Sequence, residues 1–211
     1  MKLSYYMGMI ALLGGAAYAG SAQPVTTTAP QEAVPSNPWS IEISGAQMFA
    51  AKSFMGANTK KFHLAGPELT GVYALNDKQA FTLRGSALYG RHGHASVLGT
   101  PLGKLDLALM PGYRYTHTVS PELSVYVGAN AGLLFTDVNK RHSYSLNTGG
   151  GESAWGFALS AELGVKYTIN SKWSCHVAYQ ISGDTARPTI YGRKQEAQVY
   201  NGVRVGVGYN F

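Results

Sequence analysis

Beyond its first two dozen residues the chain has no long apolar run, although 45% of its 211 residues are hydrophobic. A membrane-spanning helix needs about 20 consecutive apolar residues, so helical spans are excluded there. Charge is scarce as well. Asp, Glu, Lys and Arg make up only 13% of the chain, against roughly 25% in soluble domains. A single cysteine, Cys175, excludes an internal disulfide framework. Acidic residues are the minority sign, 11 against 17 Lys and Arg, which leaves a formal net charge of +6. Glycine (26) and tyrosine (14) are plentiful. The apolar residues are dispersed, and the period of their spacing decides the fold.

The N-terminus reads as a secretory signal peptide over residues 1–19. Lys2 supplies positive charge, Met7 to Ala17 is apolar, and Ala17-Tyr18-Ala19 is a small-x-small cleavage site, with a second possible cut after Ala22. No cysteine lies at either cut, which argues against a lipoprotein. Residues 20–38 follow as a leader. From Gln23 to Pro38 it holds four prolines among Thr, Ser and Ala, a composition that stays extended or disordered. It is too short for a peptidoglycan-binding domain.

From Trp39 to Phe211 the dominant period is two. Leu105, Leu107, Leu109, Pro111, Tyr113 and Tyr115 alternate with Asp106, Ala108, Met110, Gly112, Arg114 and Thr116. The same alternation runs through Leu123–Phe135, Trp155–Tyr167 and Val203–Phe211, and more weakly through Trp39–Phe49, Leu64–Leu75, Ala80–Gly90 and Trp173–Ser182. That predicts about eight strands, with one apolar face and one polar or glycine-rich face. The connections Asn76–Gln79, His117–Pro121 and Asn170–Lys172 are short, whereas those near 50–63, 91–104, 137–153 and 183–196 are long and polar. A soluble β-sandwich also alternates. However, the best segments here run about 11–15 residues, against a usual strand mode of about 5–6. Aromatics also mark both strand ends: Trp39, Phe81, Tyr115, Tyr167, Trp173 and Tyr209 at the short-turn rim, and Tyr89, Phe135, Trp155 and Phe157 at the other. The expectation is all-β: an eight-stranded antiparallel transmembrane β-barrel, an up-and-down meander over residues 39–211, in a bacterial outer membrane with both termini periplasmic. In hydrocarbon every backbone N–H and C=O must be paired, and only closure of the sheet achieves this.

The final strand, Val203-Arg204-Val205-Gly206-Val207-Gly208-Tyr209-Asn210-Phe211, resembles the C-terminal assembly signal of outer-membrane barrels, with Tyr209 and the terminal Phe211 as its recognition residues. Leu123–Phe135 and Gly156–Tyr179 are similar to middle and late strands of the small outer membrane protein β-barrel family, which includes OmpA-, OmpX- and opacity-protein-like barrels. The resemblance implies insertion by the outer-membrane assembly machinery. It does not imply a molecular task, because one fold hosts many functions.

An eight-stranded bore is just wide enough to be filled by side chains. Parity turns Glu42, Arg84, Asp106, Arg114, Glu162, Lys166, His176 and Arg204 inward. Buried charges need partners. At about 2.5 Å of height per residue, Arg84, Glu162 and Arg204 reach comparable depth, so Glu162 is expected to pair with Arg84 or Arg204. The resulting network plugs the lumen, and the alternative is a small passive pore. The long connections carry a basic patch of Lys60, Lys61, Arg91, Lys140, Arg141, Arg187, Arg193 and Lys194, joined by Lys52 and Lys104. Their acids are Glu68, at the edge of the second strand, with Asp137, Glu152, Asp184 and Glu196. A basic outer rim suits outer-membrane lipid, lipopolysaccharide phosphates and anionic host or glycan ligands. Nucleic acid is excluded for a secreted barrel, and a monomer is expected.

Catalytic readings are weak. Some small barrels deacylate lipid A with a Ser, a His and an acid. His142-Ser143 with Glu152 has those residue types in a Ser-rich loop, where they arise by chance, and the family's pattern is absent. His92-Gly93-His94 offers two metal ligands without an obvious third. Cys175 and His176 are neighbours on one strand and point to opposite faces, the cysteine to lipid and the histidine to the lumen. No catalytic residue, cofactor or metal site is assigned. The expectation is a non-enzymatic barrel that stabilises the envelope and presents its loops.

Overall fold

The computed structural model describes residues 37–50, 62–92, 102–140, 152–190, 193–194 and 197–211. The expected signal peptide and the expected leader up to Ser36 lie outside them. Eight long strands follow one another: β1 (Trp39–Ala50), β2 (Phe62–Ala74), β3 (Gln79–His92), β4 (Leu102–Thr118), β5 (Leu123–Lys140), β6 (Glu152–Thr168), β7 (Trp173–Asp184) and β10 (Gln198–Asn210). Two short strands, β8 (Thr189–Ile190) and β9 (Arg193–Lys194), form a separate two-stranded sheet. Each long strand pairs antiparallel with its chain neighbour, and β1 closes the barrel against β10, from Ser40 opposite Asn210 to Ala50 opposite Tyr200.

Three tight turns share one rim, and their sequences explain them. The Asn76 carboxamide oxygen accepts from the backbone N–H groups of Lys78 and Gln79 at 2.9 and 2.8 Å. Asn170 does the same for Lys172 and Trp173, at 2.9 Å each, and the Ser120 hydroxyl accepts from Leu123 N–H at 3.1 Å. Short polar side chains that bond their own backbone two or three residues on are the chemistry that makes a chain reverse. At the opposite rim the strands differ in height. β1 and β7 have 12 residues, and β4, β5 and β6 have 17 or 18. At about 3.3 Å per residue and a tilt near 40°, the short ones rise about 30 Å, one hydrocarbon thickness, and the long ones about 45 Å. The alternation of β5 was legible to Phe135, yet the strand continues to Lys140. Above the membrane band the outward face need not be apolar, so the pattern fades while the ladder goes on.

The barrel is apolar outside and polar inside. Leu83, Leu109, Leu133, Leu159, Leu163 and Val205 are exposed, each more than half, while Arg84, Arg204, Thr70 and Thr136 are completely buried. Rings meet along the short-turn rim, Trp39 with Tyr73 at 4.8 Å, Phe81 with Tyr113 at 6.1 Å and Trp173 with Tyr209 at 5.0 Å. Phe135 meets Trp155 at 5.1 Å towards the other rim. Phe211 packs against Tyr209 at 5.3 Å, and its N–H donates to the Trp39 carbonyl at 3.2 Å. Two prolines sit inside strands. Opposite β3 the β2 ladder skips Gly66 and Pro67, and opposite β5 the β4 ladder skips Met110 and Pro111. Proline has no N–H to give, and each gap is confined to one side of its strand.

Candidate functional site: the ion-pair network of the lumen

The inward positions of six strands converge at mid-barrel. Glu162 on β6 is the hub. Its Oε2 accepts from Arg84 Nη2 on β3 at 2.6 Å and lies 2.8 Å from Arg204 Nη2 on β10, and its Oε1 faces Arg114 Nη2 on β4 at 3.4 Å. Arg114 also grips Glu42 on β1 with both terminal nitrogens, at 2.6 and 2.9 Å. The planar guanidinium matches a carboxylate in this two-toothed way, which a lysine ammonium does not. Tyr126 on β5 completes the layer. Its hydroxyl accepts from Arg204 Nη2 at 3.2 Å, and the Arg114 guanidinium lies 4.4 Å above its ring. Two glycines make the room. A Cβ on Gly164 would lie 2.6 Å from the Tyr126 hydroxyl oxygen, and one on Gly128 2.9 Å from Glu162 Oε1.

Sequence reasoning assigned Glu68, Lys104 and Asp184 to the long connections, and the structure corrects this. Glu68 lies inside β2 with 2% of its surface exposed, 3.9 Å from Arg204 Nε. Lys104 and Asp184 lie in β4 and β7, both buried. Lys104 Nζ contacts Asp106 at 2.9 Å and Asp184 at 3.4 Å, and donates to the Tyr200 hydroxyl at 2.7 Å, which in turn bonds Gln198. Asp106 also accepts from Thr136 Oγ1 at 2.8 Å. This second layer closes the lumen nearer the long connections. Between the layers lies a cavity of about 40 Å³ lined by Glu68, Gln180, Asp184 and the apolar Met48, Met110 and Leu134. Ala186, just beyond β7, packs against Met110, Leu134 and Ala158 and over Gly156, narrowing the bore.

The strand period was the signal that could have found these residues. Glu68 shares its face with Leu64, Thr70 and Val72, all buried, and the weak alternation over Leu64–Leu75 runs through it, so the pattern did not require a place at the strand's edge. Lys104 and Asp184 sit above the apolar band, where outward residues no longer mark the parity.

Of the other candidates, His176 is buried on the lumen side and Cys175 half-buried on the outer side. Lys166 is half-buried near the short-turn mouth. Arg187 is exposed after β7, Arg91 is next to last in β3, Lys140 ends β5, and Arg193 and Lys194 form β9. Lys52, Lys60, Lys61, Arg141, Glu196, His94, His142 and Ser143 lie outside the described residues. Among the described residues no group of three or more His, Cys, Asp or Glu is placed to hold a metal ion.

A closed barrel with a lipid-compatible exterior, aromatic belts and a charged, filled lumen defines an integral β-barrel protein of the bacterial outer membrane. The chain belongs to the outer membrane protein beta-barrel domain family, whose profile matches residues 10–211. Among solved structures it is similar to Neisserial surface protein A, with 13% identity over 82% of this chain and 97% of that one, and a TM-score of 0.58. It is similar to Ail of Yersinia pestis in complex with the heparin analogue sucrose octasulfate, with 17% identity, 82% and 97% coverage and a TM-score of 0.50. OprG of Pseudomonas aeruginosa gives 16%, 83% and 96%, with a TM-score of 0.50. At these identities the likeness is one of fold. No curated protein matches the sequence.

Proposed function

We propose that this barrel is a closed structural element of the outer membrane that presents its long connections to polyanions at the cell surface. The observation that carries the reading is the interlocked layer of Arg84, Arg114 and Arg204 with Glu42 and Glu162, which draws five strands together across the bore. A conducting lumen of this width needs those side chains to part. In this reading the short turns and both chain ends are periplasmic, because short turns face the periplasm in barrels of this class, and the tall β4–β6 wall projects outward. Tyr209 and Phe211 serve as the recognition end for the assembly machinery, residues 1–19 are removed as a signal peptide, and residues 20–38 form a leader ahead of the barrel over 39–211. The surface partners are lipopolysaccharide phosphates and sulfated or acidic glycans, drawn by Lys60, Lys61, Arg91, Lys140, Arg141, Arg187, Arg193 and Lys194. The bound heparin analogue in the Ail complex is a ligand of that chemical class on a barrel of the same fold. No catalytic step is assigned, and the barrel acts as a monomer.

The competing reading, a small passive pore, draws on the inter-layer cavity. Recording from the refolded protein in planar bilayers separates the two. The plugged barrel gives no unitary conductance in the wild type, and steady channel events would replace it with the pore.

A further inference from the structure

The two charged layers leave several oxygens over, and those oxygens belong to residues around one space. Both carboxylate oxygens of Glu68, Oε1 of Gln180 and Oδ1 of Asp184 have no hydrogen-bond partner within the protein. The three residues are 2%, 2% and 7% exposed. All three line the inter-layer cavity of about 40 Å³. A buried oxygen left unpaired keeps the full cost of its lost hydration, and such groups are the exception in folded proteins. A carboxylate and an amide carbonyl only accept, so the occupant must donate. The unpaired nitrogens of the layers belong to Arg84, Arg114 and Arg204, which do not line the cavity.

A metal cation and water differ in what they need. A hard cation gathers about six or more oxygens around one point, and among the described residues no three of His, Cys, Asp or Glu are gathered so. Glu68 is on β2 and Asp184 on β7, with β1 and β10 between them in the wall. Gln180 and Asp184 share β7, about 13 Å apart along the strand at about 3.3 Å per residue. Water bridges oxygens spread in this way, because each molecule bonds in several directions. Volume and bonding capacity agree. One water needs about 10–15 Å³ of such a space, so the cavity has room for two. Two waters carry four O–H groups, one for each unpaired oxygen. The hydroxyls of Ser86 and Ser182, which also line the cavity, can donate to the water oxygens. Both layers border the site. Glu68 stands 3.9 Å from Arg204 and Gln180 is opposite Glu162 in the ladder, whereas Asp184 is held by Lys104.

We propose that the inter-layer cavity is a binding site for about two ordered water molecules, which donate to Glu68, Gln180 and Asp184 and join the two charged layers into one unit. The lumen is then shut by a single hydrogen-bonded body, and neither layer parts without disturbing the other. This joint rests on the closed-barrel reading, yet the two fail separately. Conductance of the wild type removes closure, and only the measurements below remove the water.

The test is crystallography of the refolded full-length barrel at a resolution that shows single waters, with one companion soak in rubidium chloride and one under xenon. The expected result is density for about two waters in the cavity, at about 2.5–3.0 Å from the unpaired oxygens, and no anomalous peak there from either soak. A rubidium peak assigns a cation instead, and a xenon peak assigns a dry apolar cavity. Either overturns the proposal, as does a cavity without density. A double-mutant cycle in urea reads the joining of the layers. Gln180 and Asp184 make no hydrogen bond to each other, so coupling between Gln180→Leu and Asp184→Asn must pass through the water. The expected loss of urea midpoint in the double variant is smaller than the sum of the two single losses. Losses that add within error overturn the joining.

Discussion

The two charged layers of the lumen solve the same problem with different chemistry. In the central layer three guanidiniums and two carboxylates share bonds, so that Glu162 touches three arginines and Arg114 touches two glutamates. In the layer nearer the long connections one ammonium holds two aspartates, with Tyr200, Gln198 and Thr136 completing the oxygens' needs. The first couples five strands, and the second couples β4, β5, β7 and β10. Charge sharing among planar, multiply bonded groups is a cross-link around the whole wall. A single lysine is a point contact. The difference teaches where the bore is locked: at mid-barrel, with the upper layer as a lid.

That comparison can be broken from either side. The largest effect is expected from Glu162→Ala, which leaves Arg84 without its bonded carboxylate and weakens Arg204 and Arg114. Removing one partner of a buried ion pair costs about 3–5 kcal/mol, readable as a lowered urea midpoint for unfolding from lipid vesicles. Lys104→Met comes next. It leaves Asp106 and Asp184 facing each other, at about 2 kcal/mol, and adding Asp106→Asn and Asp184→Asn recovers most of that loss in the same assay. Gly164→Ala drives a methyl into Tyr126. Overpacking of this sort costs about 1–3 kcal/mol, and near-ultraviolet circular dichroism of the tyrosines reports the displaced ring. Gly71→Ala on the lipid face is the smallest. Its new Cβ meets nothing closer than 3.9 Å, so the unfolding free energy from the urea curve stays within about 0.5 kcal/mol of wild type.

Within the membrane band the sequence is nearly transparent. Lipid outside and a packed bore inside impose opposite demands on alternate residues, so Leu83 against Arg84 or Val205 against Arg204 reveals its side at once. The three tight turns were legible for a local reason, since Asn76, Ser120 and Asn170 carry their own turn chemistry. The site was legible as a set of inward charges, and Glu162 with Arg84 and Arg204 came from parity and depth alone. What parity could not supply was the bonding pattern, because it depends on how the wall staggers from strand to strand. It also failed at Glu68, where the alternation is weak, and at Lys104 and Asp184, where the ladder outlasts the apolar stripe. Those three are the residues that separate two layers from one, so the comparison above was out of reach before the fold.

The shared bonds make the mid-barrel arginines and glutamates one unit. A double-mutant cycle measures this most directly, with Arg84→Met, Glu162→Met and the double variant unfolded by urea in the same vesicles. Strong coupling is expected, the double variant being less destabilised than the two single changes together by at least about 1.5 kcal/mol. Additivity to within about 0.4 kcal/mol would contradict it.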